Sequence, residues 1–224
     1  QRITYDRASE VMTALRYFLF RDGPGTSNIA ETGGFARTRL APDDRPDVQF
    51  HFVPAMLDDH GRNRLPGDGY TLHACALRPL SRGHLELASA DPAQPVRIHA
   101  NYLGDPEGRD LQTLLEAVRL ARRILGTAAF APYRGSELYP GATVQDDAAL
   151  AEFVRRKAET IYHPVGTCRM GNDAQAVVDA ELRVHGIGAL RVVDASVMPR
   201  LVGGNTNAPV VMIAEKASDL ILAG

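Results

Sequence analysis

The sequence predicts an α+β fold, an antiparallel sheet backed by helices with a loop-rich C-terminal segment. Three observations predict it. Short runs of alternating apolar residues cluster between residues 48 and 100 with brief turns between them. Close spacing of this kind favours antiparallel pairing over a repeated strand–helix–strand unit. Helically spaced apolar residues then follow from Asp110 and again from Asp146 or Asp147. Last comes a mixture of glycine-containing loops, short strand-like runs and a final helix.

Taken in order, Ala8, Val11, Met12, Leu15, Phe18 and Leu19 recur at helical spacing behind Asp6, a suitable N-cap. Arg21-Asp22-Gly23-Pro24-Gly25 stops that helix. Val48, Phe50 and Phe52 alternate with Gln49 and His51, the period of a half-buried strand. Residues 71–78, 83–90 and 96–100 also read as strands between turn residues. Leu111, Leu114, Leu115, Val118, Ala121 and Leu125 form one helix face, ended by Gly126. Leu150, Phe153 and Val154 form another. Residues 181–184 and 190–193 read as short strands, and the last helix runs from about Pro209 to Leu222.

Composition excludes several classes. Lys plus Arg is 25 and Asp plus Glu is 27, a formal charge of −2. A nucleic-acid binder would need a basic surface to neutralise phosphates. Two cysteines, Cys75 and Cys168, cannot build a disulfide framework. No apolar run approaches the roughly 18 residues of a membrane helix. The chain opens Gln1-Arg2-Ile3-Thr4, without a charged-then-apolar signal sequence.

The richest segment is His163-Pro164-Val165-Gly166-Thr167-Cys168-Arg169-Met170-Gly171. A histidine in such a loop can accept and return a proton near neutral pH. The competing reading is a cap on the preceding helix or a hydrogen-bonded core residue. Cys168 reads as a small buried hydrophobe rather than a nucleophile, and no paired ligand spacing points to zinc. His185-Gly186-Ile187-Gly188-Ala189-Leu190-Arg191 begins like a dinucleotide fingerprint but precedes a strand instead of following one, so it reads as a β-turn. Gly203-Gly204-Asn205-Thr206-Asn207-Ala208-Pro209 feeds the final helix. Its uncapped N–H groups would suit a negative group, or Asn205 or Asn207 would cap them. No Gly-x-Ser-x-Gly elbow supports a hydrolase using Cys168 or Ser196.

Together these segments resemble the C-terminal part of the glucose–methanol–choline (GMC) oxidoreductases, FAD-dependent alcohol oxidases and dehydrogenases. The residues that carry the resemblance are 163–171, 190–199, 204–209 and Ala214-Glu215-Lys216-Ala217-Ser218-Asp219. Weaker likeness extends to residues 27–35, to Ser81-Arg82-Gly83 with Asp91-Pro92, and to residues 137–141. The wording is closest to choline-like and acceptor-dependent alcohol dehydrogenase members.

The resemblance implies that residues 1–160 are a substrate-binding domain. Residues 161–224 would supply the active-site loop and a C-terminal segment packing on a separate FAD domain. It implies that the N-terminal FAD-binding half is the partner of this chain within one polypeptide, and that the chain alone is inactive. His163 matches the active-site histidine, and Asn205 the second active-site position, His or Asn by subfamily. Asp194 and Ala195 match residues near the FAD phosphates and ribose. Thr206 and Asn207 match the turn over the flavin pyrimidine edge, and Arg78 falls at a substrate-pocket position. The implied substrate is a small primary alcohol such as choline or an aliphatic alcohol. The implied location is the cytoplasm, or the periphery of the inner membrane. The alternative is a non-catalytic binding module that keeps the fold.

Overall fold

The computed structural model describes residues 10–223. Among the described residues it is mixed α/β, with four α-helices and small antiparallel sheets. The chain divides into two compact units that interleave in sequence. One comprises Gln1–Ala76 and Leu111–Glu159, the other Leu77–Asp110 and Thr160–Gly224.

The first unit opens with α1 (Glu10–Phe20), which ends where expected, with Arg21 at a positive φ of 57°. Asp6, expected to cap it, lies outside the described residues. The sheet has the order β1 (Thr32–Ala36), β2 (Val48–Val53), β5 (Thr71–Ala76). Both pairings are antiparallel, with Phe35 opposite Gln49 and His51 opposite His73. A small two-stranded pair, β3 (Leu57–Asp58) and β4 (Asn63–Arg64), lies between β2 and β5 in the chain.

Strand β1 is absent from the sequence reading because its Thr-Gly-Gly-Phe-Ala composition disfavours a strand. Its glycine is required by proximity: a Cβ on Gly33 would stand 2.2 Å from the Phe50 carbonyl oxygen. That added strand changes the burial of β2. As the central strand, β2 buries Gln49 beside Val48 and Phe50, so its polar face is not open to solvent as the alternation implies.

Helix α2 (Arg109–Leu125) covers one sheet face: Ala117, Leu120, Ala121 and Ile124 pack with Val48, Phe50, Leu72 and Ala74. Gly126 ends α2 by donating to the Arg122 carbonyl. Helix α3 (Asp147–Lys157) is capped by Asp146, whose carboxylate accepts from the Ala149 N–H at 2.8 Å. Its Leu150, Ala151 and Val154 are buried, while Phe153 is half-buried. Lys157 pairs with Asp58 at 2.6 Å. Phe52, Tyr70 and Phe130 form a three-ring cluster with centroids 5.5–5.9 Å apart.

The second unit contains the hairpin of β6 (His84–Glu86) and β7 (Arg97–His99), each shorter than its sequence window. Asp110, at the start of α2, accepts from the Leu80 and Ser81 N–H groups and the Ser81 hydroxyl. Beyond residue 160 the structure is mostly loop. The expected strands at 181–184 and 190–193 reduce to isolated bridges, Val178 with Val184 and Arg183 with Arg191. Tight turns at Leu182, Gly186 and Ala189, all at positive φ, leave no room for a longer ladder. The Gly186 segment is the β-turn the sequence predicts, with the Ile187 N–H donating to the Val184 carbonyl. Helix α4 (Asn207–Leu222) starts two residues before the expected point, with Pro209 in its first turn. Its Ile213 and Ala217 join Val178, Leu182, Val197 and Met198 in the core of this unit. Among the described residues no helix is long and apolar enough to cross a membrane.

Candidate active site

The segment 163–171 has no regular secondary structure of its own, so its position comes from hydrogen bonds to the following chain. The Cys168 N–H donates to the Ser196 carbonyl at 3.1 Å, and the Met170 N–H to the Val197 carbonyl at 2.8 Å. Val197 and Met198 are buried in the core. The loop is therefore tied to the most solid part of this unit. Arg169 grips Asp173 with both terminal nitrogens, at 2.9 and 2.6 Å. That contact, helped by the Gln175 N–H, holds the Asp173 carboxyl down at about 2.

The loop ahead of α4 approaches the same histidine. Asn205 Nδ2 lies 3.0 Å from His163 Nε2, and His163 Nδ1 lies 2.9 Å from Thr206 Oγ1. An amide NH2 only donates, so Nε2 accepts. Donor–acceptor chemistry then assigns the ring proton to Nδ1, which donates to the Thr206 hydroxyl. Thr206 is buried, His163 half-buried and Asn205 exposed. The imidazole is thus held from its enclosed side, with its basic nitrogen toward the accessible side. It neither caps α3 nor sits in the core, as the competing readings would have it.

Thr206 is the residue the sequence undervalues. It is the N-cap of α4, yet its side chain makes no cap hydrogen bond. Its hydroxyl serves His163, and the Asn205 amide does as well, so the first-turn N–H groups of α4 receive no cap from the N-cap side chain. No sequence signal links residues 163 and 206, which are 43 positions apart.

Arg78 lies against this loop as well. A Cβ on Gly203 would stand 2.9 Å from an Arg78 terminal nitrogen, and Gly203 has a φ of +81°. Glycine at 203 therefore meets two demands, a left-handed backbone and a close guanidinium. Asp194 and Ala195 belong to a separate turn, in which Asp194 accepts from the Ser196 N–H at 2.7 Å. Asn207 is exposed at the first position of α4. The structure thus brings His163, Asn205 and Thr206 together, sets Arg78 on Gly203, and leaves Asp194 and Ala195 in their own turn. Both Cys75 and Cys168 are free thiols.

Comparison with known proteins points the same way as these motifs. A family model for the C-terminal part of GMC oxidoreductases matches residues 79–214. An alcohol dehydrogenase [acceptor] of Pseudomonas putida is 49% identical over 92% of this chain and 37% of its own length. A mitochondrial choline dehydrogenase of Mus musculus is 46% identical over 95% of this chain and 35% of its own length. The chain thus spans just over a third of the curated relatives it matches. A solved structure of a mutated Aspergillus oryzae formate oxidase, concerned with the effect of the mutation on FAD modification, superposes with a TM-score of 0.86 at 28% identity. That match covers 95% of this chain and 41% of the formate oxidase.

Proposed function

The chain belongs to the GMC oxidoreductase family, and from that premise we propose that it is the substrate-side portion of an FAD-dependent alcohol dehydrogenase. The observation that carries this reading is the hydrogen-bonded set Asn205–His163–Thr206. The substrate class is a primary alcohol such as choline or an aliphatic alcohol, in line with the names of the relatives.

The donor set fits the flavin. At the start of α4 the N-cap side chain is directed to His163, and the positive end of the helix dipole there would suit an electron-rich ring edge. Thr206 and Asn207 would hold that edge, and the turn at Asp194 and Ala195 would meet the phosphate–ribose part. Bound there, the flavin would supply the hydride acceptor for alcohol oxidation. In this reading the cofactor is held mainly by a separate FAD-binding half.

The residues of this chain handle the proton. His163 Nε2 accepts the hydroxyl proton as the alcohol becomes an aldehyde, so the substrate loses one proton and one hydride. Without alcohol, Asn205 Nδ2 occupies the Nε2 lone pair. The hydroxyl displaces that contact, donates to Nε2 and accepts from the Asn205 amide. The Asn205 amide, which can only donate, sets the tautomer with Nε2 as acceptor, and the Thr206 hydroxyl accepts the Nδ1 proton. Arg78, which lies beside Gly203, would line the substrate pocket.

The test is His163→Ala and Asn205→Ala in the full-length enzyme. Stopped-flow flavin reduction is expected to slow about 10²–10⁴-fold in His163→Ala with flavin content unchanged. Asn205→Ala removes one hydrogen bond and is expected to cost about 1 kcal/mol. Normal reduction by His163→Ala at saturating alcohol would end the assignment.

A further inference from the structure

Away from this site, the β6–β7 hairpin carries two histidines and a glutamate on one face. His84 and Glu86 are two residues apart on β6, so they point the same way. The register sets His99 directly opposite His84 and Arg97 opposite Glu86. Leu85 and Ile98 take the other face. His84 Nε2 lies 3.3 Å from Glu86 Oε1, and His99 Nε2 lies 3.3 Å from Glu86 Oε2. The carboxylate therefore faces the two imidazoles, one oxygen each, rather than turning to Arg97 across the hairpin.

We propose that His84, Glu86 and His99 form a binding site for a divalent transition-metal ion of the zinc type. One ligand atom from each of the three lies within 4.8 Å of the others. With bonds of about 2.1 Å, neighbouring donors in a tetrahedral shell stand roughly 3.4 Å apart, close to the distance from each imidazole nitrogen to its own Glu86 oxygen, and a small turn of the exposed carboxylate would present one oxygen to both. Two imidazole nitrogens and one carboxylate oxygen are the donor set of zinc, nickel or cobalt rather than of calcium or magnesium. Three protein ligands leave at least one position for water.

The resting geometry shows what must move. The rings are stacked, with centroids 4.4 Å apart and an interplanar angle of 12°. The lone pairs of stacked rings lie in two nearly parallel planes, so the rings must tilt for both nitrogens to aim at one ion. Side-chain exposures of 61% for His84 and 46% for His99 leave that rotation unopposed by packing. The consequence is mechanical. The hairpin has three residue pairs and a long connection between its strands. Short two-stranded pieces are marginal on their own, and an ion bridging both strands would fasten this one. The site is independent of the alcohol dehydrogenase reading.

Calorimetric titration of Zn²⁺ into the metal-free full chain, prepared without a histidine tag, is expected to show one ion per chain. The melting temperature should rise with Zn²⁺, and Co²⁺ should give visible absorption bands. His84→Gln and His99→Gln are both expected to abolish saturable binding and the thermal shift, with unchanged circular dichroism. Glu86→Gln should weaken binding. The described residues hold a second cluster, Asp59, His60 and Glu159, in the first unit, so His60→Gln is the control and is expected to leave binding intact. Absence of binding by the folded chain, binding that survives His99→Gln, or loss of binding in His60→Gln would each overturn the site.

Discussion

In the sheet of β1, β2 and β5, backbone groups pair along ladders, and apolar side chains on one face meet one face of α2. Around His163 the chain has no ladder. Order there comes from single hydrogen bonds to residues 196 and 197 and from residues forced to positive φ, among them Tyr162, Gly166, Leu182 and Gly203. The first region is built on a repeating pattern, so many substitutions preserve it. The second is built on individual contacts, each made once. Regular structure thus supplies stability, and irregular structure sets the placement of the His163 imidazole. A stable scaffold tolerates the second kind of construction because Val197, Met198, Ile213 and Ala217 anchor the loops at their base.

The contrast is tested most strongly in the pattern-built region. Leu115 on α2 is 1% exposed. Leu115→Ala is expected to lower stability by about 2–5 kcal/mol, read from urea unfolding. The alcohol-dependent reduction rate of the folded full-length enzyme should barely change. A large loss of rate without loss of stability would break the division of labour.

A smaller effect on stability, with a larger one on function, is expected of Gly203→Ala. Alanine at a φ of +81° costs about 1–2 kcal/mol, and its methyl group displaces the Arg78 guanidinium. The shift moves Asn205, so turnover should fall by more than the stability change accounts for. Adding Arg78→Ala relieves the contact but not the backbone strain, so it should restore part of the stability only. Full restoration would show that strain at 203 is unimportant.

The smallest expected effect is a pH dependence in the sheet. Burial, reinforced by His51 and His60, pushes the His73 imidazole below its usual value. The unfolded chain titrates near the ordinary value of about 6.5. Below that pH the unfolded state binds more protons, so stability falls as the solution is acidified. His73→Gln is expected to flatten this part of the profile, measured by thermal melts between pH 7.5 and pH 5 (a range chosen about the usual imidazole value). An unchanged slope would place the acid sensitivity elsewhere.

Much of the regular structure was legible before any coordinates. The α2 and α3 runs, the stop after α1, the β2 and β5 strands and the turn at Gly186 all follow from periodicity and turn chemistry. Strand β1 was not legible, because its glycines hide a strand whose need is a close approach to Phe50. The strands expected at 181–184 and 190–193 read well locally but became bridges, since turn residues at positive φ cut the ladders short. His163 and Asn205 stood out by motif. The use of Thr206 as the partner of Nδ1 did not, nor did the contact of Arg78 with Gly203.

The sequence by itself determined the fold class, the order of most elements, the likeness to the GMC oxidoreductases and which histidine to examine. These depend on local propensity, on side-chain period and on short motifs, all carried by neighbouring residues. Only the tertiary structure decided which partner each nitrogen of His163 meets, Thr206 at Nδ1 and Asn205 at Nε2. It also decided that β2 is central and that His84, Glu86 and His99 share a face. Those facts depend on contacts between residues far apart in the chain. Sequence spacing does not encode such contacts; strand register, loop closure and core packing create them.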